Sequence, residues 1–173
     1  MHLYLYNIDG RFIRQIEKGK YDVDEVYGFD ETTGKTYFQA AAKTPMQREI
    51  YVADKNGKVT CLTTKDGWNS AVFSGDYKYF LNNWSDRNSP YSYAIYNNKG
   101  HIVREVLNND ALIKDMAKYD LPTRDFFKFT TSEGVQLNGW IVKPKNFDPN
   151  KKYPVIFFQY SGPGSQQVVD RRA

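Results

Sequence analysis

The stretch with the clearest potential for chemistry lies around Tyr160, where an apolar run ends in a Tyr-Ser-Gly-Pro-Gly turn. The run, residues 155–158, lacks polar alternation, which is typical of a strand that is covered on both faces in a parallel sheet. A glycine-rich loop at the carboxyl end of such a strand exposes hydrogen-bond donors where α/β enzymes place their sites. Donors of this kind stabilise the oxyanion that develops during acyl transfer. The alternative is an ordinary turn after a buried strand.

The rest of an acyl-transfer site is missing from the sequence. A serine nucleophile on this kind of fold needs a Gly-x-Ser-x-Gly turn, followed along the chain by Asp and His. The 173 residues contain no Gly-x-Ser-x-Gly, and the two histidines, His2 and His101, both precede Tyr160. Ser161 and Ser165 flank the glycines, but no histidine follows to activate them. We therefore interpret both serines as turn residues and predict no nucleophile and no general base in this chain.

Composition and charge argue against several other classes of function. The 24 Lys and Arg residues exceed the 20 Asp and Glu residues by only four, and they are spread over turns, unlike the basic stripe of a nucleic-acid groove. No apolar run approaches the ~18 residues of a membrane-spanning helix. The single cysteine, Cys61, excludes an internal disulfide and a multi-thiolate zinc site, and we expect it to be a small buried residue. The acidic segments 22–25 and 54–57 lack EF-hand spacing, so we predict no metal and no cofactor.

The first hundred residues predict a repeating β architecture. Short segments rich in Tyr, Phe, Val and Ile alternate with turn dipeptides, as in a series of β-hairpins. Three hairpins align on a glycine, with Gly57 following Gly10 by 47 residues and preceding Gly100 by 43. This spacing matches the four strands of a β-propeller blade. The recurrence favours two blades, preceded by the outer strand of an earlier one, over an open sandwich of about eight strands.

The pattern changes after residue 107. Residues 108–110 offer a helix N-cap, and residues 111–118 predict a short helix that ends before Pro122. Strands are then predicted at 126–130, 135–142 and 155–158. The expected fold is mainly β, with two antiparallel four-stranded blades followed by the first strands of an α/β domain. The expected boundaries are propeller blades at 1–107, a helical linker at 108–122 and a truncated α/β domain at 123–173.

The chain resembles a known enzyme family. The order of blades, helix and linker, followed by KKYPVIFFQYSGPGSQ at residues 151–166, resembles the dipeptidyl peptidase IV branch of the prolyl oligopeptidase serine peptidases. The likeness spans almost the whole chain and corresponds to the last two propeller blades and the start of the α/β-hydrolase domain. The Tyr-x-Gly-Pro-x-Ser-Gln segment at 160–166 is its most distinctive part. Weaker support for the resemblance comes from residues 108–112, Gly139-Trp140 and Lys143-Pro144.

The resemblance implies one catalytic role. Tyr160 would donate its phenol hydrogen bond to the oxyanion of the tetrahedral intermediate, and Gly162, Pro163 and Gly164 would shape the loop. The parent protein would be an exported serine exopeptidase of the bacterial periplasm or cell surface. It would release dipeptides from peptide N-termini by acyl transfer, with a preference for Pro or Ala in second position. The fragment alone would be inactive, because it has no triad.

A second hypothesis stays open at this stage. The chain could be a self-contained β-rich module that binds a peptide or a glycan through an aromatic face and has no enzymatic activity. A reading frame that continues through Gly-x-Ser-x-Gly and a later Asp and His would exclude the module. Under either hypothesis, unpaired blade edges predict self-association of the chain.

Overall fold

The chain forms two structural units. The computed structural model describes residues 1–119, 121–160, 162 and 164–172. The first unit contains Met1–Asn109 together with the described residues from Asp170 onward, and the second contains Asp110–Val169.

The first unit is built from antiparallel strands that follow one another in chain order. A hairpin of β1 (Tyr4–Tyr6) and β2 (Phe12–Gln15) comes first. One four-stranded sheet then contains β3 (Val23–Asp30), β4 (Lys35–Ala40), β5 (Glu49–Ala53) and β6 (Val59–Cys61). A second four-stranded sheet contains β7 (Trp68–Phe73), β8 (Tyr79–Ser85), β9 (Ser92–Asn97) and β10 (Ile102–Leu107). In both sheets, strands that are consecutive in the chain are neighbours, so the prediction of two propeller-type blades is confirmed.

The aligned glycines occupy equivalent turns. Gly10, Gly57 and Gly100 have φ angles of +77°, +83° and +83° in the turns β1–β2, β5–β6 and β9–β10. Each glycine N–H donates to the carbonyl oxygen three residues earlier at 3.0 Å. The residue that begins each turn also accepts a side-chain hydrogen bond from a backbone N–H four residues later. These pairs are Asn7–Arg11 at 2.7 Å, Asp54–Lys58 at 2.9 Å and Asn97–His101 at 3.1 Å. The alignment found in the sequence is therefore a repeat of one hydrogen-bonded turn.

Aromatic and aliphatic side chains fill the space on both faces of the first sheet. Tyr37 and Phe38 are successive residues of β4, both are fully buried, and they point to opposite faces because side chains alternate along a strand. The face with Tyr37 packs against the second sheet in a buried cluster of Tyr37, Ile50, Val52, Leu62, Ala71, Phe80 and Tyr96. The face with Phe38 packs against the first hairpin in a cluster of Ile16, Val23, Phe38, Ala40, Tyr51 and Ala53. The high aromatic content of the sequence thus serves blade packing.

The second unit contains a short helix and one hairpin. Helix α1 covers Asp110–Met116, and β11 (Arg124–Thr130) pairs in continuous antiparallel register with β12 (Gln136–Val142). The helix begins and ends one to two residues earlier than predicted. The helix ends in a turn of the 3₁₀ type. There the Lys118 N–H donates to the Asp115 carbonyl oxygen and the Tyr119 N–H donates to the Met116 carbonyl oxygen, each three residues earlier.

The apolar run 155–158 differs from its prediction as a buried strand. It forms no strand, and the exposed fractions of its residues range from 68% to 97%. A strand needs a neighbour with which to exchange backbone hydrogen bonds, yet β11 and β12 pair only with each other. No strand within the described residues pairs with the run, so its apolar side chains have no cover there.

Cys61 also differs from its prediction, because it is exposed. It lies on β6, the last strand of the first sheet, which has a neighbouring strand on one side only. Its thiol donates to the carbonyl oxygen of Thr63 at 3.1 Å.

Candidate functional site

The side chain of Tyr160 is open to solvent. The residue lies in the second unit, directly after the apolar run, and is 61% exposed. Its backbone is in neither a helix nor a strand. The phenol is accordingly accessible to a ligand.

The ring of Tyr160 lies against the backbone of Gly162. A Cβ atom built on Gly162 would be 2.7 Å from Cε1, 3.1 Å from Cζ and 3.2 Å from the hydroxyl oxygen of Tyr160. Any residue with a side chain would push the ring away, so the glycine is required for this placement. The sequence places the two residues two positions apart, which brings the ring within reach of the Gly162 Cα.

A tight turn follows Gly162. The backbone N–H of Ser165 donates to the carbonyl oxygen of Gly162 at 3.3 Å. Gly164 has a φ of +72°, a left-handed conformation that glycine adopts without a steric penalty. Pro163, which was predicted to shape the same loop, lies outside the described residues.

The remaining candidates for acyl-transfer chemistry are the two histidines and the two serines of the glycine-rich loop. His2 and His101 both belong to the first unit, where the Nδ1 atom of His2 lies 2.8 Å from Oε1 of Glu17. The hydroxyl oxygen of Ser165 accepts a hydrogen bond from Gln167 at 3.0 Å, as expected for a turn residue. Ser161 falls among the residues that the structure does not describe.

The lysine- and proline-rich segment that precedes the apolar run has an ordered centre. The rings of Phe147 and Tyr153 stack with their centroids 5.2 Å apart, and the ammonium of Lys143 lies 5.0 Å from the centre of the Phe147 ring. The Tyr153 hydroxyl accepts a hydrogen bond from the backbone N–H of Asp148 at 3.0 Å. This aromatic contact fixes the loop that leads toward Tyr160 along the chain.

Asp170 forms buried contacts that the sequence does not predict. It belongs to the first unit and is 4% exposed. One carboxylate oxygen accepts a hydrogen bond from Nε2 of Gln47 at 2.9 Å, and the other accepts one from the backbone N–H of Arg87 at 3.0 Å. An isolated Asp beside two arginines gave no signal in the sequence, because its partners lie 123 and 83 residues away.

Two features are absent from the part of the chain that the structure describes. Within those ranges, no group of three or more His, Cys, Asp or Glu residues could hold a metal ion. No helix in the same part of the chain is long and apolar enough to cross a membrane.

Comparison with known proteins gives consistent results. Residues 1–91 match the family model described as dipeptidyl peptidase IV (DPP IV) N-terminal region. Dipeptidyl peptidase 4 of Arthroderma otae is 34% identical over 172 residues, which cover 96% of this chain and 22% of that protein. Dipeptidyl peptidase 4 of Trichophyton rubrum is 31% identical over 172 residues, which again cover 96% of this chain and 22% of that protein.

A solved structure supports the same relationship. The crystal structure of Porphyromonas gingivalis dipeptidyl peptidase 4 matches with a TM-score of 0.94 and 39% identity, over 99% of this chain and 24% of that one. The chain thus spans 22% to 24% of the length of these three proteins. Because the family model covers 91 of the 173 residues, the chain belongs to the dipeptidyl peptidase IV family and contains sequence of its N-terminal region.

Proposed function

We propose that this chain is a segment of a serine exopeptidase that releases dipeptides from peptide N-termini and prefers Pro or Ala in second position. The supporting observation is the backbone similarity to P. gingivalis dipeptidyl peptidase 4, with a TM-score of 0.94 over 99% of the chain. In the complete enzyme, residues 1–107 would be the last propeller blades and residues 108–122 a linker. Residues 123–173 would begin the hydrolase domain.

Tyr160 is the catalytic residue of this segment in the proposal. Its phenol would donate a hydrogen bond to the oxyanion of the tetrahedral intermediate. The exposure of the Tyr160 residue and the contact between its ring and Gly162 support this role, because a donor must be both accessible and held in place. One preorganised oxyanion donor typically contributes about 3–4 kcal/mol to the lowering of the barrier.

The decisive experiment is Tyr160→Phe in the complete enzyme, because this change removes only the hydroxyl. We expect kcat for a Gly-Pro anilide to fall by about 10²–10³-fold, with KM nearly unchanged. Tyr119→Phe is a matched control, since Tyr119 belongs to the same unit and is 70% exposed. A Tyr160→Phe enzyme with normal kcat would refute the role of Tyr160.

The nucleophile and the general base come from outside these 173 residues, which contain no Gly-x-Ser-x-Gly and no histidine after His101. We therefore expect the isolated chain neither to hydrolyse Gly-Pro or Ala-Pro anilides nor to be labelled by a fluorophosphonate probe. The complete enzyme is the positive control in both assays. Stoichiometric labelling of a serine in the isolated chain would contradict this part of the proposal.

Three further points of the proposal concern surroundings and partners. The substrate is a peptide, and the enzyme is exported to the periplasm or the cell surface, which the family resemblance supports.

The isolated chain self-associates through β10, an edge strand whose six residues are all exposed. Sedimentation at rising concentration tests the last point, and a strictly monomeric chain would refute it. Val103→Lys, which puts a charge on that edge, should weaken the association.

A further inference from the structure

The carboxylate of Asp170 is buried and takes no part in the chemistry proposed above. A buried carboxylate is costly unless hydrogen bonds satisfy it, and here three donors surround it. In addition to Gln47 Nε2 and the Arg87 backbone N–H, a guanidinium nitrogen of Arg87 lies 3.5 Å from Oδ1. The backbone N–H of Asp170 itself donates to the carbonyl oxygen of Met46 at 2.8 Å.

These partners belong to equivalent loops of the two sheets. Met46 and Gln47 lie between β4 and β5, the second and third strands of the first sheet. Arg87 lies between β8 and β9, the second and third strands of the second sheet. Asp170 therefore bridges two loops that occupy the same position in successive blades.

The next two residues continue the contact. The guanidinium of Arg171 lies 4.9 Å from the centre of the Trp68 ring, and Arg48 lies 4.7 Å from the same ring. A guanidinium nitrogen of Arg172 donates to the carbonyl oxygen of Asn88 at 2.9 Å. Three successive residues, 170–172, thus each contact other parts of the first unit.

We propose that Asp170, Arg171 and Arg172 form a clasp that joins the loops of the two blades and anchors the chain ten residues after Tyr160. Asp170 is then a positioning residue for the oxyanion donor, a part of the inference that rests on the proposed function. Anchoring one end of a connection restricts the conformations that the connection can adopt. The clasp therefore narrows the range of positions open to the Tyr160 loop.

The geometry of the clasp identifies the substitution that breaks it. In Asp170→Asn, an NH2 group replaces one carboxylate oxygen, so Gln47 and Arg87, which donate to different oxygens of Asp170, cannot both keep their acceptor. Adding Gln47→Glu exchanges donor and acceptor between positions 47 and 170 and keeps the net charge of the wild type. Asp66→Asn is the matched control, because Asp66 forms an exposed ion pair with Lys43 in the same unit.

Hydrogen exchange in the complete enzyme tests the clasp without reference to catalysis. The N–H groups of Asp170 and Arg87 are hydrogen-bonded within it. In Asp170→Asn we expect both to exchange about tenfold faster or more, because local opening becomes easier. Asp66→Asn should leave both exchange rates unchanged. Adding Gln47→Glu to Asp170→Asn should restore much of the protection. Unchanged protection in Asp170→Asn would overturn the clasp.

A double-mutant cycle tests the positioning role. In the enzyme with Tyr160, we expect Asp170→Asn to lower kcat by about three- to tenfold, with KM within about twofold, because misplacement of a catalytic group slows the chemical step. In the Tyr160→Phe enzyme, the same substitution should have little further effect on kcat. A general loss of folded enzyme would lower kcat by the same factor in the wild-type and Tyr160→Phe backgrounds. That result would overturn the positioning role. If Tyr160→Phe alone had no effect, the proposed function would fail, and hydrogen exchange would still decide on the clasp.

Discussion

The ring of Tyr77 stacks on the ring of Tyr37, with the centroids 5.2 Å apart and an angle of 1° between the planes. Tyr37 belongs to β4 of the first sheet, and Tyr77 lies in the turn between β7 and β8 of the second. Tyr77 also has a φ of +53°, which is uncommon for a residue with a large side chain. The contact between the blades therefore outweighs a local backbone strain of about 1–3 kcal/mol.

Removal of the Tyr77 ring should weaken the contact between the two blades and destabilise the chain. We expect Tyr77→Ala to lower the free energy of unfolding by about 2–3 kcal/mol, through lost burial and the lost stacking with Tyr37. Tyr79→Ala, two residues away at a side chain that is 48% exposed, should cost less than about 1 kcal/mol. Urea unfolding of the two variants measures the difference. Equal losses would show that the stack contributes nothing specific.

The close approach of Gly28 to Tyr77 gives a second test. A Cβ atom on Gly28 would overlap the Tyr77 hydroxyl oxygen and lie 2.7 Å from Cζ. We expect Gly28→Ala to cost at least about 2 kcal/mol, because overpacking forces the ring or the backbone to shift and because the φ of +149° at Gly28 disfavours a residue with a side chain. Gly75→Ala is the control, since nothing lies within 4 Å of the added atom.

Removal of the hydroxyl should relieve much of this clash. The combination of Gly28→Ala with Tyr77→Phe should therefore be less destabilising than the sum of the two single changes. Strict additivity in urea unfolding would contradict the contact.

Local pattern was sufficient to predict the repeating part of the fold. The turn glycines and the strand alternation depend on neighbours within a few residues, so both were visible in the sequence. The sequence does not indicate which side chain contacts Gly28, because the partner, Tyr77, lies 49 residues away.

The candidate site depends on contacts that local sequence does not contain. The role of Tyr160 rests on resemblance to a family motif and stays a prediction. The apolar run 155–158 indicated a buried strand, but burial depends on neighbouring strands, and none of those that the structure describes pairs with the run. Asp170 has partners in two distant loops, so no window of local sequence contained the information.

The aligned turn glycines allow backbone strain and steric contact to be measured separately. Gly10, Gly57 and Gly100 share positive φ angles, so alanine at each should cost about 1–2 kcal/mol for the left-handed conformation. An added Cβ meets nothing within 4 Å at Gly10 and only the Ile16 carbonyl oxygen, at 3.5 Å, near Gly57. At Gly100 it would lie 2.7 Å from the Leu62 carbonyl oxygen, a backbone atom.

We therefore expect Gly10→Ala and Gly57→Ala to cost similar amounts. Gly100→Ala should cost at least about 1 kcal/mol more, because the backbone must shift to remove the clash. Thermal or urea unfolding of the three variants provides the comparison. A Gly100→Ala chain no less stable than Gly10→Ala would contradict the close approach to Leu62.

The pH dependence of stability should reveal the buried carboxyl of Glu49. Burial raises the pKa of Glu49, which is fully buried in β5, and the hydrogen bond that the Tyr51 hydroxyl donates to its Oε2 at 3.1 Å only partly opposes this effect. The folded chain therefore holds this proton more tightly than the unfolded chain, where the carboxyl titrates near 4.5. The resulting stabilisation is fully present below that pH and is lost as the pH rises through the raised value.

Glu49→Gln removes this titration. The stability of Glu49→Gln relative to the wild type, measured as the difference in free energy of unfolding, should therefore increase between pH 4 and pH 8, whatever the constant cost of the amide. Glu31→Gln makes the same change at an exposed position and is the control. Urea unfolding at several pH values measures both differences. A Glu49→Gln difference that is constant with pH would mean that this carboxyl binds its proton equally well in the folded and unfolded chains.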